Sequence, residues 1–171
     1  MLDYIFRLSM APGVVIHEFS HALFCVFGGV KIYKMRFFTL NRRSRVVGYV
    51  QHAEPESFWQ NFLISIGPFL INSLIALFLF SLIKSPYLVW QNTLFAWLGL
   101  TIGLQAIPSS GDAQSLLISA NRRVWRNPLV VLGYPFVLLI YILNWLKKIH
   151  IDLVYVFFLF WLGNIALKGG I

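Results

Sequence analysis

Five apolar runs, at about residues 11–30, 58–83, 88–107, 129–146 and 151–167, constrain this chain more than anything else in it. A helix that crosses a bilayer needs roughly 17–25 residues of such composition, because the hydrocarbon core is about 30 Å thick. Composition points the same way: 58% of the 171 residues are hydrophobic and only 12% are charged, whereas a soluble domain has about 25% charged. Polar surface is too scarce to cover a globule of this size, so lipid is expected to cover much of it. The expected fold is an all-α polytopic membrane protein of about five transmembrane helices, a single membrane domain over residues 1–171 with the lipid bilayer as partner. In a prokaryote its place would be the cytoplasmic membrane.

Two interruptions break the apolar pattern. Val30, Ile32, Tyr33, Met35, Phe37 and Phe38 precede the polar stretch Asn41-Arg42-Arg43-Ser44-Arg45, and Val46-Val47-Gly48-Tyr49-Val50 follows it. This pattern predicts a small β-hairpin with a basic turn between the first two helices. Such backbone, at a membrane, must be buried in protein or line a wet cavity. After the third run, Ile107-Pro108-Ser109-Ser110-Gly111-Asp112 marks unwound backbone before a helical pattern resumes at Ala113. Near the N-terminus, Pro12-Gly13 either opens the first helix or kinks a longer one, and residues 2–10 are expected along the interface. The apolar stretch after Arg7 is interrupted by His17, Glu18 and His21, unlike a cleavable signal.

The formal net charge is +8. The basic residues flank apolar runs and form no groove-sized patch with stacking aromatics, which points to lipid headgroups and away from nucleic acid. With five spans, Lys31, Lys34, Arg36, Arg42, Arg43, Arg45, Arg122, Arg123, Arg126 and Lys168 fall on one side, and Arg7, Lys84, Lys147 and Lys148 on the other. The larger group is expected in the cytoplasm. Cys25, the single cysteine, rules out an internal disulfide and reads as a small buried hydrophobe.

Chemistry enters with His17-Glu18-Phe19-Ser20-His21 in the first run. Positions four apart on a helix differ by about 40° around the axis and ~6 Å along it, so both imidazoles can bind one metal. Glu18 lies one step round, where its carboxylate can reach a water activated by the metal and accept its proton. Two histidines and a glutamate inside an apolar helix are costly, and ionisable residues in such places mark pathways, pairs or sites. The bland alternative is a buried polar cluster that only pairs helices.

The wider context resembles the site-2 proteases, intramembrane zinc metalloproteases that cleave membrane-spanning segments. His17-Glu18-Phe19-Ser20-His21-Ala22-Leu23, followed by Phe27-Gly28-Gly29-Val30-Lys31, looks like the family's HExxH helix and its glycine turn. Gly67-Pro68 and Asn72 look like its second-helix motif, and Pro108 with Asp112 like its third. The resemblance covers about residues 11–120, a three-helix catalytic core, and leaves 121–171 as two accessory transmembrane helices. It implies zinc (Zn2+) held by His17, His21 and Asp112, with Glu18 as general acid and base. It also implies that Asn72 sits beside the active site, holding substrate backbone or stabilising the oxyanion. The family usually has Leu-Asp-Gly at the third motif, whereas here Gly111 precedes Asp112 and Ala113 follows. Each later piece has a plainer reading: Gly67-Pro68 as a helix kink, Asn72 as an interhelical hydrogen bond worth ~0.6 kcal/mol, Asp112 as a helix N-cap. Glu54 and Glu56, nearer the histidines in sequence, are expected to stay hydrated.

The function expected is an intramembrane zinc metalloendopeptidase acting on membrane-protein substrates, with the hairpin receiving an extended substrate stretch. The competing expectation is a site-2 protease-like protein that binds membrane partners without cutting them. Glu18 argues against that, since a noncatalytic relative has no need of a costly carboxylate beside the histidines.

Overall fold

The computed structural model describes residues 2–40, 47–83 and 89–165. The basic stretch 41–46, with Arg42, Arg43 and Arg45, lies outside the described residues, as do Lys84 and Lys168. Among the described residues the chain forms α1 (Leu2–Ser9), α2 (Ala11–Phe27), β1 (Ile32–Arg36), β2 (Tyr49–His52), α3 (Phe58–Ser81), α4 (Val89–Leu104), α5 (Ser110–Arg123), α6 (Tyr134–Leu146) and α7 (Ile151–Ile165). Tight 3₁₀ turns at Pro128–Gly133 and Lys147–Ile149 flank α6. Among the described residues each apolar run of the sequence is mostly helical.

Local chemistry sets the helix ends. Pro12 falls in the first turn of α2, where its missing N–H has no helical partner to lose, so it opens this helix and α1 stands as a separate one. α2 ends where Gly29 takes φ +67°, a left-handed conformation that closes the turn, with Val30 N–H donating to the Cys25 carbonyl at 2.8 Å. α3 opens on a reciprocal cap: Gln60 N–H donates to Ser57 Oγ and Ser57 N–H to Gln60 Oε1. The Gln60 amide also donates to the Gly28 carbonyl, fixing the start of α3 against the end of α2.

α3, at 24 residues, is the axis of the molecule. α2 packs closely on α3 and α4 because small residues stand at the crossings: a Cβ on Gly67 would meet the Phe24 ring, and one on Gly13 the Thr101 carbonyl. α4 lies along the C-terminal half of α3, with Gly99 on Phe80 and Asn72 bonded to the Ile102 carbonyl. α5 continues along the N-terminal half, where Asn61 bonds Ser115 and Phe58 packs with Leu116. α6 follows the same N-terminal half, Phe62 stacking edge-on against Phe136. α7 then takes the C-terminal half, where Tyr155 meets Phe69 and Ser73, and Gly163 meets Leu77 and Phe80.

The sequence suggests five separate spans, and the structure arranges them differently. α4 with α5 forms one broken column antiparallel to α3, and α6 with α7 forms a second broken column parallel to it. Among the described residues two helices are long and apolar enough to cross a membrane, Phe58–Ser81 and Pro128–Ile149, while Ala11–Phe27 and Ile151–Ile165 are shorter apolar helices. The fifteen described residues of α7 rise about 23 Å and lie in series with α6 along α3. Lys147 therefore sits midway along α3 and not at the end opposite Arg122, where a five-span count puts it.

The expected hairpin is present. β1 pairs antiparallel with β2, Arg36 opposite Tyr49 and Ile32 opposite His52, with an irregularity between Ile32 and Lys34. The second strand covers Tyr49–His52, while Val46 lies outside the described residues. Just before it, a Cβ on Gly48 would lie 2.7 Å from Glu18 Cγ and 2.8 Å from the Phe37 carbonyl oxygen, so only glycine fits there. This backbone lies close against α2.

Candidate metal centre

α2 presents His17 and His21 from one face, as their spacing requires, and both are largely buried. Their Nε2 atoms converge to 3.2 Å. The Asp112 Oδ1 atom lies 3.4 Å from His21 Nε2, and the three ligand atoms lie within 4.8 Å of one another. A tetrahedral zinc with bonds of about 2.0–2.1 Å separates its ligand atoms by about 3.3–3.4 Å, close to two edges of this triangle.

The far side of each ligand supports the same reading. His17 Nδ1–H donates to the Gln105 carbonyl at 2.6 Å and His21 Nδ1–H to the Ile64 carbonyl at 2.9 Å. Protonated Nδ1 leaves Nε2 with the lone pair aimed at the ligand cluster, the arrangement that orients metal-binding histidines. Asp112 Oδ2 accepts from Ser109 N–H and Ser109 Oγ–H, both at 2.7 Å, which turns Oδ1 toward His21. No buried side-chain nitrogen or oxygen among the described residues is left without a partner.

The backbone supplies these carbonyls for identifiable reasons. Gln105 follows the last turn of α4, in the unwound segment before α5. Ile64 lies inside α3, but the residue four positions on is Pro68, which has no N–H to give it. Pro68 thus frees a mid-helix carbonyl for His21, and the Gly67-Pro68 pair does more than kink a helix. Pro68→Ala should add a competing N–H, strengthen α3 and weaken zinc binding by about 10-fold, at the low end for losing such a partner. Competition with a chelator would measure it, and an unchanged affinity would show that His21 does not depend on the missing donor.

Asp112 is not the N-cap of α5. Ser109 is, and Asp112 occupies the third helical position in a reciprocal cap, its N–H donating to Ser109 Oγ at 3.2 Å. One carboxylate therefore serves the cap through Oδ2 and faces the histidines through Oδ1. The residue after it is helical, so the inverted Gly111-Asp112 order leaves the carboxylate in reach.

Glu18 is half-buried next to these groups, covered by the hairpin backbone at Gly48. Asn72 is fully buried: Nδ2 donates to the Ile102 carbonyl at 3.2 Å and Oδ1 lies 3.5 Å from Ser20 Oγ. Its contacts join α2, α3 and α4. Glu54 pairs with Arg122 at 2.9 Å on the surface, and Glu56 is exposed. Cys25 is completely buried. Gln105, Ser109 and Gly48 were not singled out by sequence reasoning, although Ser109-Ser110-Gly111-Asp112 fits the spacing of a cap.

Residues 10–113 match a family model, DUF3267, described as "Putative zincin peptidase". No curated protein and no solved structure matches the chain. The matched stretch, more than half of the chain, runs from the start of α2 to one residue past Asp112 and so contains His17, Glu18, His21 and Asp112 together. The chain belongs to this DUF3267 family of zincin-type peptidases.

Proposed function

We propose that the chain is an intramembrane zinc metalloendopeptidase of the site-2 protease type, which hydrolyses peptide bonds in or near membrane-spanning segments of other proteins. The observation that carries this reading is the convergence of His17 Nε2, His21 Nε2 and Asp112 Oδ1, with every far-side atom already held by backbone or by Ser109. Exposed Leu74, Phe78, Phe157 and Trp161 on α3 and α7 support a lipid-facing exterior. The broken columns fit such a setting, because non-helical backbone at membrane depth is tolerated where it lines a site.

Zinc, when bound, supplies Lewis acidity that lowers the pKa of a water and polarises a peptide carbonyl. The protein's own groups do the rest. Glu18 takes the proton from the attacking water and returns it to the leaving nitrogen. Gln105 and Ile64 hold the histidine rings in one tautomer, and Ser109 holds the carboxylate. Asn72 keeps Ser20 and α2 in place, a positioning role. The hairpin backbone at Gly48 lies on Glu18, so a substrate stretch added to the adjoining sheet would pass the general base in extended form. A cavity of about 430 Å³ is lined by His52, Asn61, Gly111, Ser115 and Arg122, with Gly111 next to Asp112 in the chain.

The test is metal analysis of the purified full chain together with cleavage of a panel of membrane-segment fusions. One equivalent of zinc, with cleavage lost on chelation and restored by zinc, is the expected result. Bound zinc without cleavage of any fusion would favour a partner-binding pseudoprotease, and absence of bound zinc would overturn the metal reading.

A further inference from the structure

The segment between α4 and α5 carries two parts of the metal centre: Gln105, whose carbonyl orients His17, and Ser109, which holds Asp112. Between them lie Ile107 and Pro108, whose carbonyls belong to neither helix ladder. Both are taken by side chains from the second broken column. Asn144 Nδ2 donates to the Pro108 carbonyl at 2.9 Å, and Lys147 Nζ donates to the Ile107 carbonyl at 2.9 Å. Asn144 lies in the last turn of α6 and Lys147 opens the 3₁₀ turn Lys147–Ile149, which ends at His150 with φ 61°. The two helix breaks therefore sit side by side midway along α3 and are bonded to each other.

We infer that Asn144 and Lys147 are positioning residues of the zinc centre, fixing two consecutive carbonyls so that His17 and Asp112 keep their orientation. This rests on the metallopeptidase reading above. Both residues lie outside the stretch that matches the family, residues 10–113, in helices the sequence leaves as accessory. Their chemistry suits the task. An ammonium has three donors and no acceptor, and a carboxamide NH₂ has two donors, one of which Asn144 also gives to the Ile140 carbonyl. Neither can be replaced by an apolar side chain without leaving a buried carbonyl unpaired, and a carbonyl released here can turn and take Gln105 or Ser109 with it. A lysine held this way at the middle of a bundle is otherwise costly. Simple packing of α6 would need neither group, since Val137 and Ile140 already join it to the core.

Asn144→Leu and Lys147→Met remove the donors and keep approximate volume. Each is expected to weaken zinc binding about 10–100-fold and to shift the visible absorption of the cobalt-substituted full-length protein. Lys147→Arg, which keeps a long cationic donor, should restore the parental spectrum and affinity. Ile142→Ala, on the exposed face of α6, should leave both unchanged. If the apolar variants do not fold, Lys147→Gln, too short to reach Ile107, decides by the same spectrum. A parental protein that binds no zinc or cobalt would sink the metallopeptidase reading itself. Parental metal binding with unchanged spectra and affinities in the donor-deleted variants would overturn this inference alone.

Discussion

Replacing Glu18 with glutamine is expected to lower peptide-bond hydrolysis by about 10²–10⁴-fold, the usual contribution of a positioned general acid and base, while zinc stays bound. Glutamine has the same shape, so the contact with the hairpin backbone at Gly48 survives. The amide cannot accept the proton of the attacking water, nor deliver one to the leaving nitrogen. The histidines are unaffected, because their orientation comes from the Gln105 and Ile64 carbonyls and not from Glu18. Zinc content and turnover, measured on one preparation, separate the two roles. Parental cleavage by Glu18→Gln would remove Glu18 from the mechanism. Joint loss of zinc and turnover would assign it to metal binding.

The parts of this molecule that were legible in the sequence are those fixed by short-range patterns. Over the described residues the five apolar runs are mostly helical, since twenty or so apolar residues have little alternative in a chain with so few charges. The histidine pair was readable because four residues on one helix fix a geometry by themselves. How the runs assemble was not readable. That α6 and α7 follow one another along α3 depends on the break at Lys147 meeting the break at Ile107, forty residues away in the chain. The close approach of Gly48 to Glu18, on another element, had the same difficulty. Pro68 shows the limit most plainly. A proline in an apolar run announces a freed carbonyl at Ile64, but nothing nearby says that His21, 43 positions earlier, will use it. The resemblance puts Asn72 beside the active site, but the partners of its amide, Ile102 and Ser20, follow only from how α2 and α4 pack on α3.

Asp112→Ala is expected to cost zinc affinity by more than the roughly 10–100-fold that follows loss of an outer hydrogen-bond partner, because it removes a direct ligand. Glu54→Ala and Glu56→Ala should leave the affinity unchanged. Glu54 is exposed and already paired with Arg122, and Glu56 is exposed as well, so neither has been desolvated in expectation of a cation. Asp112 is in the opposite position. Its side chain is 16% exposed, its Oδ2 is saturated by Ser109, and its Oδ1 lies 3.4 Å from the nitrogen of a buried histidine. A carboxylate held so near two imidazoles needs a cation between them or a proton on one of them. The complication is the cap. Asp112→Ala also deletes half of the reciprocal cap of α5, worth about 0.5–2 kcal/mol, so weaker metal binding could follow from a frayed helix. Asp112→Asn separates the effects: its amide oxygen can still accept from Ser109, preserving the cap, while the neutral side chain is a poor zinc ligand. Lost zinc affinity in both Asp112 variants, with helical content kept in Asp112→Asn, supports the ligand role. Full zinc affinity in Asp112→Asn would leave Asp112 a capping residue only, and loss confined to Glu54→Ala or Glu56→Ala would place the third ligand on the hairpin side of α3.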